Sequence, residues 1–311
     1  MKIVIIILLI VIVLYFIFTY GIAKFMANLI FAPPQMFRPT REMVVNNTVK
    51  EFASNHYIYS DTNYQEYDKW ETEKFQCIND GVEIPAEYHP VENARGCVIL
   101  AHGFGQNRYA AVPYAEIFRK LGFSTVLFDE RCFGESKAPN GGFGELEATD
   151  IVTLIHWVKE KCGKDTKIVL HGVSMGAMSS MNALQYSDEI DYVIEDCGPA
   201  RACRGAVFVA NSMIPVPNPF MKMMIKRKSN KLGLNIEGNN PVDAVRNSNV
   251  PIMIIHGGAD RAVSVEDAKE IRKAAHNPKA RLEIFLGRDH AYSICDREKY
   301  EHIVEEFLKD I

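Results

Sequence analysis

The residues Gly172-Val173-Ser174-Met175-Gly176 fit the pattern G-x-S-x-G. The β-type run Lys167–His171 precedes them, and a helix-compatible run, Met175–Tyr186, follows. A serine at a sharp strand-to-helix turn has its oxygen lifted clear of the sheet, and small residues must flank it for the turn to close. Gly and Ser are abundant, so the pattern gains meaning only from its partners. A serine hydroxyl is a weak nucleophile; it needs an adjacent base, and the base needs an orienting acid. Asp260 lies directly after the apolar run Pro251–His256, and His290 directly after Leu282–Leu286. The order Ser174, Asp260, His290 is one in which such triads occur. Asp196, closing the run Tyr192–Glu195, is the other candidate acid.

Acyl transfer also puts negative charge on a former carbonyl oxygen, which aimed backbone N–H groups stabilise. The segment Leu100-Ala101-His102-Gly103-Phe104-Gly105 follows an early apolar run, and its glycines permit close backbone approach. The N–H groups of Phe104 and Met175 are the candidate donors. This chemistry requires no metal and no organic cofactor.

These residues need a scaffold that brings the ends of several strands together. Strand-like runs recur at Val82–Tyr88, Cys97–Ala101, Ser124–Phe128, Lys167–His171, Tyr192–Glu195, Pro251–His256 and Leu282–Leu286. Helix-like stretches lie at Tyr109–Leu121, Glu145–Cys162, Met175–Tyr186, Val265–Ala275 and Arg297–Leu308. Alternation of this kind predicts an α/β protein with a mostly parallel sheet and helices on both faces. Every candidate catalytic residue falls at the carboxyl end of a strand, the edge where open sheets bind ligands. Between about 198 and 249 the alternation lapses. That stretch is Met-rich and Pro-punctuated and reads as a helical lid, or as a helical pair that only buries itself; Met-rich surfaces adapt to varied apolar ligands.

Taken together, His102-Gly103-Phe104-Gly105, the turn Asp129–Ser136, Gly172–Gly176, the Asp260 segment and Asp289-His290 resemble the α/β-hydrolases of the serine-esterase type. The likeness covers roughly 75–311. It is similar to the bacterial membrane-anchored hydrolases related to cinnamoyl esterases and to the serine-aminopeptidase-like group. Cys132 stands where that family's D-x-R-G-x-G-x-S turn usually has glycine. The resemblance implies the α/β-hydrolase fold and a working triad. It leaves the substrate open, because one fold hosts many chemistries.

The remaining polar residues have plainer readings. His102, His171 and His256 are read as structural, Asp289 as a brace for its loop, and Asp129 as fixing its turn through Arg131. The seven cysteines are odd in number and scattered, not a disulfide framework. A net charge of −4 gives no reason to expect nucleic acid as a partner.

The amino terminus is a separate unit. Ile3 to Ala23 is apolar almost without break, with Lys2 and Lys24 at its ends. About 20 apolar residues span a hydrocarbon core of ~30 Å. Residues 1–24 are therefore read as a transmembrane anchor, with a cleaved signal as the alternative, and 25–74 as a connecting region. Basic residues on both sides leave orientation open; a short basic leader before a long apolar run inclines the reading to the extracytoplasmic side. Lys226-Arg227-Lys228 is a solvated face or touches anionic headgroups. The expectation is a membrane-anchored hydrolase of carboxylic esters, acting on a small-molecule ester or acyl substrate. A peptidase or thioesterase using the same triad is the alternative, and a non-catalytic binding protein a third. The stretch Pro199–Lys231 contains no Asp or Glu to hold a substrate ammonium, which counts against the peptidase.

Overall fold

The computed structural model describes residues 2–57 and 59–311. Three helices come first: α1 (Lys2–Phe31), α2 (Arg41–Ser54) and α3 (Asp61–Tyr67). The strands β1 (Glu73–Asn79), β2 (Val82–His89) and β3 (Cys97–Ala101) follow, then α4 (Val112–Lys120), β4 (Ser124–Phe128), α5 (Leu146–Cys162), β5 (Ile168–Val173) and α6 (Met175–Ala183). After β6 (Tyr192–Asp196) come α7 (Ala202–Met213), α8 (Asn218–Lys231) and α9 (Pro241–Arg246). The chain ends with β7 (Ile252–Gly257), α10 (Val265–Ala274), β8 (Arg281–Phe285) and α11 (Arg297–Phe307).

The eight strands form one sheet in the order β1-β2-β4-β3-β5-β6-β7-β8. β1, β2 and β4 pair antiparallel, and every pairing from β4 to β8 is parallel. The central strands β3, β4, β6 and β7 are buried along their whole length. Such strands carry Val, Ile and Leu on both faces, because helices cover both. On one face α5, α6 and α10 pack over Ile99, Leu170 and Ile254. On the other, α4 and α11 pack over Val98, Leu100, Val169 and Ile255. Tyr64 and Tyr67, with Phe52 of α2, belong to this second cluster, so the aromatic residues before the first strand cover a flank of the sheet.

β1 carries no apolar run and was not expected. Its burial alternates, with Cys77 inward and Gln76 and Ile78 exposed. It is an edge strand whose one partner is β2, and its Phe75 stacks on Trp157 of α5 with ring centroids 3.6 Å apart.

The insertion after β6 divides in two. α7 and α8 pack in a third cluster, in which Ala206, Ala210, Met221 and Ile225 are buried together with Phe133, Phe143 and Met175. α9 instead joins the main core through Val242 and Val245. The N-terminal helix also has two parts. Its apolar side chains from Ile3 to Phe18 are exposed on all sides. Beyond them, Ala23, Met26, Ala27, Ile30 and Phe31 are at most 3% exposed and pack with α7 and α8. The chain then stays attached. Phe31 O accepts from Gly141 N at 2.7 Å, and Arg38 Nη1 donates to Ser136 O at 2.6 Å.

The turn from Asp129 to Ser136 is held by a partner other than the expected one. Asp129 pairs with Arg108 (2.5 Å), not with Arg131, and also accepts the N–H groups of Arg108 and Glu135. Arg131 reaches the buried Asp150 at 2.8 Å. Gly134 is obligatory: it lies at φ +51°, and a Cβ there would stand 2.3 Å from the Asp129 carboxylate. Cys132 adopts φ +69°, so the turn keeps the left-handed backbone a glycine would supply.

Arg108 is 2% exposed and also meets Glu87 at 3.1 Å and Glu135 at 2.8 Å. Removing one partner of a buried ion cluster leaves the others uncompensated. Arg108→Met should therefore cost about 3–5 kcal/mol, read from denaturant unfolding of the full chain in detergent.

Candidate active site

Ser174 joins β5 to α6 with φ +56° and ψ −110°, a left-handed backbone that costs a non-glycine residue energy. Packing holds it there. A Cβ on Gly172 would lie 2.1 Å from Gly176 O, and one on Gly176 would lie 2.2 Å from Ala101 O. Both positions must be glycine for the start of α6 to seat against β3. The Ser174 N–H donates to Asp196 O at 2.8 Å and ties the turn to β6.

The serine points at a histidine. Ser174 Oγ lies 2.9 Å from His290 Nε2, and His290 Nδ1 lies 2.8 Å from Asp260 Oδ2. The Asp260 carboxylate is fully buried, and its other oxygen accepts the N–H groups of Ala262 (2.7 Å) and Val263 (2.8 Å). Those bonds aim the carboxylate at the imidazole. The histidine loop is braced in turn. Asp289 accepts from His290 N at 2.8 Å and from Arg261 Nε at 2.7 Å. The three residues, separated by up to 116 positions, thus meet at one sheet edge.

Asp196, the other candidate acid, is not the partner of His290 Nδ1, which pairs with Asp260. It is fully buried, and burial pushes its carboxyl up to about 7, against a smaller opposing effect of Tyr300. Cys197 follows it with Sγ 3.9 Å from His290 Nε2. Cys197, Asp260 and His290 bring ligand-type atoms within 4.8 Å of one another. Burial, with neighbouring carboxylates, holds the Cys197 thiol well above its ordinary value, so it rests as a neutral thiol.

The other histidines bond within the scaffold. His102 Nε2 lies 3.0 Å from Glu130 N, an obligatory donor, so Nδ1 carries the proton and donates to Gly103 O at 2.8 Å. Burial lowers its pKa to about 4 and keeps it neutral. It pins the segment bearing Phe104 to the end of β4. His171 meets Tyr300 at 3.0 Å, and burial lowers it to about 3. His256 Nε2 lies 2.9 Å from Val263 O, on the acid loop.

Ser174 and His290 open into a cavity of about 720 Å³. Phe104, Met175, Phe133 and Phe143 form one apolar wall, and Phe208 and Met213 of α7 another. The amides of Phe104 and Met175 make no backbone hydrogen bond among the described residues. Six lining residues lie outside the region where chemistry was expected: Leu29, Pro33 and Phe37 after the apolar segment, and Thr48, Glu51 and Phe52 of α2. Burial raises the Glu51 carboxyl, with a hydrogen bond from Tyr292 opposing it. No sequence pattern marks these six residues, because they reach the site only through the packing of α1, α2 and the turn between them.

A mostly parallel eight-stranded sheet with this strand-end constellation is the α/β-hydrolase architecture. Comparison with known proteins agrees. The family model described as serine aminopeptidase, S33, matches residues 92–241, just under half of the chain. The protein YfhR of Escherichia coli strain K12 is 27% identical over 258 residues, which covers 80% of this chain and 84% of that one. YqkD of Bacillus subtilis strain 168 is 24% identical over 238 residues, 74% of this chain and 77% of that one. The esterase Pf2001 of Pyrococcus furiosus superposes with a TM-score of 0.66 at 23% identity, over 79% of this chain and 94% of that one. The chain has the α/β-hydrolase fold, and its family match over 92–241 is to hydrolases.

The raised carboxyl of Asp196 has a consequence for stability. In the native protein it titrates near 7, in an unfolded chain near about 3.9. Between these values the native state holds a proton that the unfolded chain has released. Its contribution therefore falls as pH rises from about 4 to about 7 and then levels off. Asp196→Asn removes that dependence. Denaturation midpoints at about pH 4.5 and 7.5 should fall more with rising pH for the parent chain than for the variant.

Proposed function

We propose that the protein is a membrane-anchored serine hydrolase that cleaves carboxylic esters through an acyl-enzyme. The observation that carries this reading is the unbroken relay from Ser174 Oγ through His290 to Asp260, at 2.9 and 2.8 Å, opening into an apolar cavity. Ser174 Oγ attacks the acyl carbon while His290 Nε2 takes its proton. Asp260 holds the imidazole with Nδ1 protonated and stabilises its positive charge. The N–H groups of Phe104 and Met175 receive the oxyanion. His290 then gives its proton to the leaving oxygen as the acyl–oxygen bond breaks. Water enters, His290 takes a proton from it, and the acid departs with Ser174 restored. No metal or organic cofactor takes part.

Residues Ile3–Phe31 form a helix of mean hydropathy 3.2 in its most apolar window, long enough to cross a bilayer. A cleaved signal passes the same test. Here the helix continues into Met26, Ile30 and Phe31, which are buried against α7 and α8, and this supports a retained anchor. In this reading residues 1–24 are the anchor, 25–74 connect it to the catalytic domain of 75–311, and the side of the membrane stays open.

Glu51 supports a second reading. It is a carboxylate in the cavity lining and makes no ion pair among the described residues. Such a group holds a substrate ammonium, as an aminopeptidase requires. A thioester uses the same relay.

Full-length protein in detergent should hydrolyse p-nitrophenyl esters, and Ser174→Ala should abolish both turnover and labelling by a fluorophosphonate. Asp260→Asn should lower kcat by about 10⁴. Glu51→Gln should leave ester turnover unchanged under this reading, whereas selective loss of turnover on aminoacyl substrates would favour the peptidase.

A further inference from the structure

The cavity wall and the apolar helix are one continuous object. Leu29, still within α1, and Pro33 just beyond it line the cavity that holds Ser174. Lower down the same helix, Phe16 meets Phe220 of α8 with ring centroids 5.6 Å apart. Phe16 lies inside the segment long enough to cross a bilayer. The first turn of α8 therefore reaches the level of that segment, and the loop before it follows. Ile214 and Met223 are 38% and 47% exposed, and Phe25 is 51% exposed. Large apolar groups at such exposure beside a spanning helix mark a surface that faces lipid. Arg227 and Lys231 lie along the same helix α8, with Lys222 and Lys226 paired to Glu237 at 3.4 and 2.5 Å, a net basic face as expected at the headgroup level.

Helical rise sets the distances. At about 1.5 Å per residue, Ile3 to Tyr20 spans roughly 27 Å, nearly the ~30 Å of a hydrocarbon core. Leu29 then stands roughly 14 Å beyond Tyr20 along the axis. An acyl compound dissolved in the bilayer must rise by that distance to bring its carbonyl to Ser174. Apolar side chains lie at both ends of that rise: Ile214 and Phe25 on the exposed surface, and Leu29, Phe208 and Met213 in the cavity wall. A cavity of 720 Å³ is the size that encloses one compact ligand. Lifting two chains exposes twice the hydrocarbon of one.

Resting on the serine-hydrolase reading, we infer that the substrate is a single-chain acyl ester or thioester resident in the bilayer, drawn laterally along α1 and α8 into the cavity. α1 is then a wall of the substrate path as well as a tether.

The test uses the full chain in phosphatidylcholine vesicles containing some phosphatidylglycerol. Two probes share one leaving group: 4-methylumbelliferyl palmitate, which partitions into the bilayer, and 4-methylumbelliferyl butyrate, which is soluble. Ile214→Asp with Met223→Asp places charge on the lipid-facing surface, away from the cavity lining. The expected result is turnover of both probes by the parent chain, with palmitate turnover falling about tenfold or more in the double variant and butyrate turnover unchanged. Serine-dependent butyrate turnover without palmitate turnover overturns the inference and leaves the hydrolase reading standing. So does a double variant that affects both probes equally or neither. Loss of Ser174-dependent turnover on both probes in the parent chain overturns the hydrolase reading itself.

Discussion

The tightest constraint in the molecule is the contact between the turn at Ser174 and the backbone of β3. Gly176 sits so close to Ala101 that a single methyl group would fall 2.2 Å from the carbonyl oxygen. That contact sets where α6 begins and which way the serine oxygen points. It also brings the Met175 amide and the segment bearing Phe104 to the same place, because that segment continues directly from Ala101. The left-handed backbone at Ser174 is held by neighbours on both sides: Asp196 O accepts its N–H, and Gly172 admits the returning helix. Strain at such a residue persists only where its surroundings over-determine it.

A second layer of buried polar groups keeps those surroundings rigid. His102 links the Phe104 segment to Glu130, and Glu130 accepts from Ser179 of α6 at 2.7 Å. Burial and the neighbouring Glu147 hold the Glu130 carboxyl well above its ordinary value, so it stays neutral. Arg108 and Asp129 anchor the next turn along, and Tyr67 closes on Glu87 behind them. Arg108 and Asp129 in this layer are ion-paired, and Glu130 accepts through Oε1 while its Oε2 has no partner among the described residues. The relay at Ser174 therefore rests on a preorganised frame, the condition under which fixed dipoles lower a barrier most.

What was legible in the sequence follows from the range of the signals. The strands β3 to β7 announce themselves as short apolar runs because each is buried by helices on both sides. The positions of Ser174, Asp260 and His290 after strand-like runs are equally local, and the structure brings the three within hydrogen-bond distance of one another. β1 escaped because an edge strand with one exposed face needs no apolar run. The partner of Asp129 escaped for a different reason. Arg131 is near in sequence, but Arg108 arrives from another strand connection, and Asp150 draws Arg131 away. α9 resembled the lid in composition yet packs in the core, since a short helix with Pro241 at its start carries too little pattern to reveal which face it covers.

The largest departure concerns α1. Composition ends the apolar run near Lys24, and residues 25–74 read as a connecting region. The helix instead runs unbroken to Phe31, and its last turns fill the cluster beneath α7 and α8. Burying Met26, Ile30 and Phe31 removes three large side chains from water, each contributing about 1.5–3 kcal/mol. Met221 and Ile225 of α8 are buried against the same helix, so α8 cannot keep its packing if α1 is removed. A catalytic domain cut free after residue 31 would expose that face. Nor can α7 and α8 tilt freely as a lid while α1 is clamped between them and the chain beyond it is bonded to Ser136 and Gly141. Any opening of the cavity must therefore move α1 and its neighbours together, which couples access to Ser174 to the way the helix sits in its surroundings.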